Sequence, residues 1–106
     1  MLAAGARQTH LGVMLKHNVY FDGGVQSIGY ERNGSRATVG VIDAGEFRFG
    51  TDAAERMTVV SGELSVRFGD DGDWVRYPAG TTFEIGQKSH FFVRARAPAA
   101  YLCVFL

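Results

Sequence analysis

Apolar and polar residues alternate one for one over much of the chain. Phe47 and Phe49 fall on one side of an extended segment, with Glu46 and Arg48 on the other. Leu64, Val66 and Phe68 oppose Glu63, Ser65 and Arg67 in the same way. A period of two with one apolar face marks a half-buried strand. Short runs rich in Val, Ile, Phe and Tyr recur, and they predict strands over 25–31, 36–42, 46–49, 57–61, 63–68, 74–77, 82–85, 91–95 and 101–106. Turn signals separate them: Asp22-Gly23-Gly24, Asn33-Gly34, Ala44-Gly45, Ser61-Gly62, the acidic run 69–73 and Ala79-Gly80. Asn-Gly supplies the positive φ angles that tight hairpins need. No long segment keeps a 3.6 period, and the best helical stretch, 51–57, predicts two turns at most.

Many short strands with regular turns predict an all-β domain with little or no helix. In so small a chain such strands leave exposed edges unless the sheet closes, which favours a single β-barrel of the jelly-roll type. The last predicted strand, YLCVFL, is apolar on both faces and needs cover on both sides. A second subunit could supply it, giving a homodimer. A central position within its own chain would serve equally well.

Composition narrows the picture. A chain of 106 residues suits one domain, and 46% hydrophobic residues suit a folded one. We expect residues 1–15 to form an N-terminal tail or extension and 16–106 the domain. Lys plus Arg balance Asp plus Glu at 11 each, so neither the basic stripe of a nucleic-acid binder nor that of a membrane-surface protein is present. No apolar run approaches the roughly 20 residues of a membrane span. Cys103 stands alone, which excludes an intramolecular disulfide and suits a reducing compartment, the cytoplasm.

For a metal the sequence offers only His10, His17, His90 and the lone Cys103, with no His-x-His pair. Zinc sites want three or four protein ligands, so no metal and no cofactor are expected. The stretch 40–62 nonetheless resembles the first motif of the cupin superfamily. Gly40 stands six positions before Glu46, and Glu55 seven before Gly62. The two histidine positions of that motif are held by Glu46 and Arg48, as in a cupin whose metal ligands have been replaced.

A second resemblance runs from Asn18 to the C-terminus. It is carried by Asn18, Tyr20-Phe21, Ser27-Ile28-Gly29, Arg36-Ala37, Val39-Gly40-Val41, Gly45-Glu46-Phe47, Glu55, Met57-Thr58-Val59, Ser61-Gly62, Trp74, Tyr77, Ala79-Gly80, Phe83, Ser89, Phe91 and Tyr101-Leu102-Cys103. These pieces, and Glu-x-Met-Thr-Val above all, resemble the small pyrimidine/purine nucleoside phosphorylase family. The resemblance implies a cupin-like fold, a homodimer, and cleavage of purine and pyrimidine nucleosides by inorganic phosphate to a free base and ribose 1-phosphate. The chain departs from it at Ile85-Gly86, where the family has Val-Pro.

Phosphorolysis passes through a cationic, oxocarbenium-like sugar while charge leaves with the base. It needs guanidinium or N–H donors for phosphate, a carboxylate for the ribose, and a platform for the base. Arg36 and then Arg48 are the phosphate candidates. Glu46 and Glu55 are the candidates for the ribose, and His90 for protonating the leaving base. Tyr30, Phe47, Tyr77, Phe83, Phe91 and Tyr101 could stack on the base, and Ser89 is expected at the pocket mouth. Register decides among them: with Phe47 and Phe49 inside, Glu46 lies in water. A non-catalytic cupin holding a small ligand is the alternative. A metal-dependent oxygenase would need ligands that the sequence lacks.

Overall fold

The computed structural model describes residues 15–106; most of the expected tail, with His10, lies outside them. Ten strands follow in chain order: β1 Lys16–Tyr20, β2 Val25–Arg32, β3 Ser35–Ile42, β4 Gly45–Thr51, β5 Glu55–Ser61, β6 Glu63–Phe68, β7 Val75–Pro78, β8 Thr82–Ile85, β9 Ser89–Ala95 and β10 Ala99–Phe105. One 3-10 turn, Phe21–Gly23, links β1 to β2. The strands form a six-stranded antiparallel sheet, β1-β2-β3-β10-β5-β8, and a four-stranded one, β4-β9-β6-β7. The all-β jelly roll of cupin type therefore holds. The two sheets are not hydrogen-bonded into one closed barrel; they face each other across the core. Alternation fixes which face of a strand is buried, and a sandwich and a barrel bury the same face.

Three local expectations change. The stretch 51–57 carries no helix: Thr51 ends β4 and Glu55 opens β5, where Thr58, Val59 and Val60 favour extended backbone. β1 was not foreseen, because it is an edge strand exposed along most of its length and so shows no alternation. Trp74 precedes β7 rather than opening it.

Register assigns the faces. Val25 pairs with Ile42 and Ser27 with Gly40 across β2 and β3. Tyr101 pairs with Gly40, and Cys103 with Thr38; on the other side Cys103 faces Met57 and Phe105 faces Glu55. These residues share the inner face. From the four-stranded sheet Leu64, Val66, Phe91 and Val93, all fully buried, complete the core. Buried Thr51 ties the sheets' ends together: its Oγ1 donates to the Gly86 carbonyl at 2.7 Å and accepts from the Ser89 N–H at 3.0 Å.

The apolar last strand, β10, sits centrally between β3 and β5. Its own chain covers the inner residues Ala99, Tyr101 and Cys103. The outer ones, Ala100, Leu102 and Val104, stay half-buried. Around them the outer surface presents exposed Ile28, Val39, Val41 and Val60.

Candidate functional site

Between the sheets, at the open end of the sandwich, lies a cavity of about 250 Å³. Its walls are the inner residues of β2, β3, β10 and β5, the edge of β4, and the Tyr20-Phe21 corner.

Glu55 is the carboxylate of this cavity. It opens β5 on the inner face and is half-buried, and its Oε1 lies 3.3 Å from the Cys103 Sγ, which donates to it. Burial raises its pKa above the usual carboxylate range, partly offset by the hydrogen bond from Cys103. Burial, and then the charge and hydrogen bond of Glu55, push the Cys103 thiol far up. At neutral pH that thiol is a neutral donor rather than a nucleophile.

Deeper in the cavity stand two hydroxyls. Tyr101 is only 5% exposed, and burial pushes its pKa up to about 12, with the neighbouring Ser27 hydroxyl pulling the other way. Ser27 Oγ also accepts from Asn18 Nδ2 at 3.2 Å. The Tyr101 ring lies flat against Gly40: a Cβ there would come within 2.5 Å of its Cζ and hydroxyl. Only glycine permits so close an approach.

One of the two phosphate candidates stands against the cavity wall. Arg36 pairs in register with Glu31, and its guanidinium sits 5.5 Å from the centre of the Phe105 ring, itself a cavity wall. Arg48 borders the cavity only through the edge strand β4. It shares the outward parity of Glu46 and is exposed, and its charge acts on Asp70 on the outer face, so the phosphate expectation for its side chain is not met there. An anion at the mouth, a polyol beside Glu55 and a flat apolar group deeper in would each find a complementary wall.

The structure thus brings Glu55 and Tyr101 to the cavity, with Arg36 against its wall residue Phe105, and leaves the other candidates elsewhere, the Arg48 side chain among them. Glu46 points away on the outer face of β4, exposed, with Arg94 Nη2 at 3.3 Å; Arg94 in turn lies 3.9 Å from the Trp74 ring centre. The inward positions of β4 go to Phe47 and Phe49, because burying two rings outweighs burying a carboxylate that would need a partner. His90 lies on the outer face of β9, 2.9 Å from Asp70. Tyr30 has the outward parity of β2, opposite Ala37. Phe47 packs against the core below the cavity, with Phe21 5.1 Å away. Tyr77, Phe83 and Phe91 form an aromatic cluster within the core: Tyr77 and Phe83 are 4.5 Å apart, Phe83 and Phe91 6.2 Å. Ser89 contributes its backbone to Thr51.

Unforeseen cavity residues include Phe21, Ser27, Thr38, Phe49, Cys103 and Phe105. Parity on β10 would have found two of them: with Tyr101 inside, Cys103 and Phe105 follow. Among the described residues no three of His, Cys, Asp and Glu gather into a metal-binding group, and no helix is long and apolar enough to cross a membrane.

The profile of a family described as pyrimidine/purine nucleoside phosphorylase matches residues 15–105. A pyrimidine/purine nucleoside phosphorylase of Sorangium cellulosum is 64% identical over 93 residues, spanning 88% of this chain and all of that protein. One from Aeromonas salmonicida is 50% identical over 93 residues, spanning 88% and 99%. A crystal structure of a Vibrio parahaemolyticus protein of unknown function superposes with a TM-score of 0.85 at 42% identity, covering 89% of this chain and all of that one.

Proposed function

The chain belongs to the pyrimidine/purine nucleoside phosphorylase family, and we propose that it is a pentosyltransferase that moves the ribosyl group of purine and pyrimidine nucleosides from base to inorganic phosphate. The observation that carries this reading is one half-buried carboxylate, Glu55, on the wall of a cavity whose other wall residue Phe105 has the Arg36 guanidinium 5.5 Å from its ring centre. Arg36 holds the phosphate; Arg48, with its side chain on the same outward face as Glu46, does not. One phosphate oxygen then attacks the anomeric carbon as its bond to the base nitrogen breaks; the base leaves with that electron pair and takes up a proton. Positive charge that develops on the sugar is met by the Glu55 carboxylate, which also accepts from the ribose hydroxyls. Cys103 steadies that carboxylate from behind. Glu46 and His90, facing solvent on the far sheet, take no part.

Two further features belong to this reading. The exposed apolar strip around Ile28, Val39 and Val41, together with half-buried Leu102 and Val104, supports a homodimer through the outer face of the six-stranded sheet. The free thiol of Cys103 supports a cytoplasmic location. The function is tested by incubating purified protein with uridine, adenosine and other nucleosides, with and without phosphate. Free base and ribose 1-phosphate should appear only when phosphate is present. Their absence across the panel would leave a ligand-binding domain without this activity.

A further inference from the structure

Phe21 occupies an unusual position. Its φ is +54°, and so is that of Asp22. The left-handed region is a conformational outlier for a bulky residue, and two such residues in a row, followed by Gly23 at φ +95°, form a strained corner. Strain of this kind persists only where surrounding packing enforces it, and it gathers at ligand sites. Here the packing is aromatic. The Phe47 ring fits against Gly24 and Gly45, where added Cβ atoms would come within 3.0 and 3.3 Å of it. Phe21 rests on that ring, 5.1 Å away, and stands nearly parallel to Phe49, at 15° and 6.2 Å. Yet Phe21 remains 48% exposed and lines the cavity. The fold thus strains its backbone to hold a flat ring at the cavity wall without burying it.

We propose that Phe21 is the stacking platform for the nucleobase, and that it fixes affinity for the base without choosing between purine and pyrimidine. The inference rests on the phosphorolysis reading for the identity of its ligand. With phosphate held at the mouth and ribose at Glu55, the base extends toward Phe21, Phe49 and the hydroxyls of Ser27 and Tyr101. Every base offers a π face, so stacking tolerates all of them. The two hydroxyls can each donate or accept, and so they suit the edge of either base class. The Asn18 amide reaches this end only through its donation to Ser27 Oγ at 3.2 Å.

The test compares Phe21→Ala, Phe21→Leu and Phe21→Trp with the wild type in steady-state phosphorolysis of adenosine and uridine. Loss of one stacked base–aromatic contact corresponds to roughly 5- to 150-fold. KM for both nucleosides should rise by about tenfold or more, and by similar factors, in the Ala and Leu variants. KM for phosphate should stay unchanged, and Trp should restore tight binding. Leu keeps most of the bulk but has no π face, so it separates stacking from simple filling and stands in if the Ala variant fails to fold. Unchanged nucleoside KM, or an equal rise for nucleoside and phosphate, would overturn the proposal. If the wild type releases no base, the phosphorolysis reading falls on its own. Calorimetric titration of the same variants with adenosine and uridine then decides the stacking proposal.

Discussion

Gly40→Ala should destabilise the protein although it replaces a glycine in the middle of a strand. Propensity alone argues the other way: a strand glycine replaced by alanine ordinarily gains about 0.5–1 kcal/mol. The opposite sign comes from Tyr101. The new methyl carbon would stand 2.5 Å from the ring carbon Cζ and the hydroxyl oxygen, against the 3.4 Å at which ordinary contact begins. The ring must therefore retreat by about 0.9 Å, inside a core where overpacking costs about 1–3 kcal/mol. For a domain of this size a net loss of 2 kcal/mol lowers Tm by about 8–16 °C. Thermal and denaturant unfolding followed by circular dichroism would measure it, alone and in a Tyr101→Ala background. In that background the added methyl has no ring to meet, and its cost should vanish; the difference is the coupling energy of the pair. A stable Gly40→Ala variant, or an equal loss in both backgrounds, would refute the argument. The same retreat pulls the Tyr101 hydroxyl away from Ser27, so nucleoside KM should rise even at temperatures where the variant is fully folded.

Other outcomes follow from the site. Glu55→Gln should lower kcat by about 10²–10³-fold, the scale of losing one electrostatic stabiliser of the transition state. It should also raise Tm at neutral pH: because burial lifts the folded-state pKa of Glu55 above its unfolded value, its favourable contribution exists while it is protonated and is lost as pH rises through the folded pKa. The gain in Tm should therefore shrink as pH is lowered below the ordinary glutamate range, and a gain independent of pH would count against burial as its cause. Arg36→Ala should raise KM for phosphate by roughly 10- to 100-fold, the worth of one charge-assisted contact, with little change in Tm; unchanged phosphate KM in steady-state assays would remove Arg36 from the site. Thr51→Val keeps the shape but strands the Gly86 carbonyl and the Ser89 N–H, and should cost about 1–3 kcal/mol in denaturant unfolding.

The strands were legible because most carry one apolar face, and a period of two survives any choice of partner strand. What the sequence could not show was which sheet edges join, so a closed barrel and an open sandwich read alike. The site was legible in part. Of the residues that line the cavity, Glu55 stood in both resemblance motifs and Tyr101 in the family pattern. Glu46 was misread by motif position and correctly discounted by parity, since Phe47 and Phe49 compete for the same interior. His90 shows the same limit: it alternates with Phe91, and a fully buried phenylalanine sends its neighbour outward. Phe21 was hidden for another reason. Its place depends on backbone angles that no side-chain pattern encodes, in a turn whose Asp-Gly-Gly sequence reads only as a break between strands.

One strand serves two rooms. Tyr101, Cys103 and Phe105 furnish the cavity, while Ala100, Leu102 and Val104 face the opposite side of the same sheet. β10 is a party wall, and neither set of alternate positions is spare. Along β10 a change on either side alters a packed surface: the cavity wall on one face, the half-buried apolar strip on the other. A substitution on the outer face therefore lies one peptide bond from the cavity wall, and changes on the two faces are transmitted to each other through the shared backbone.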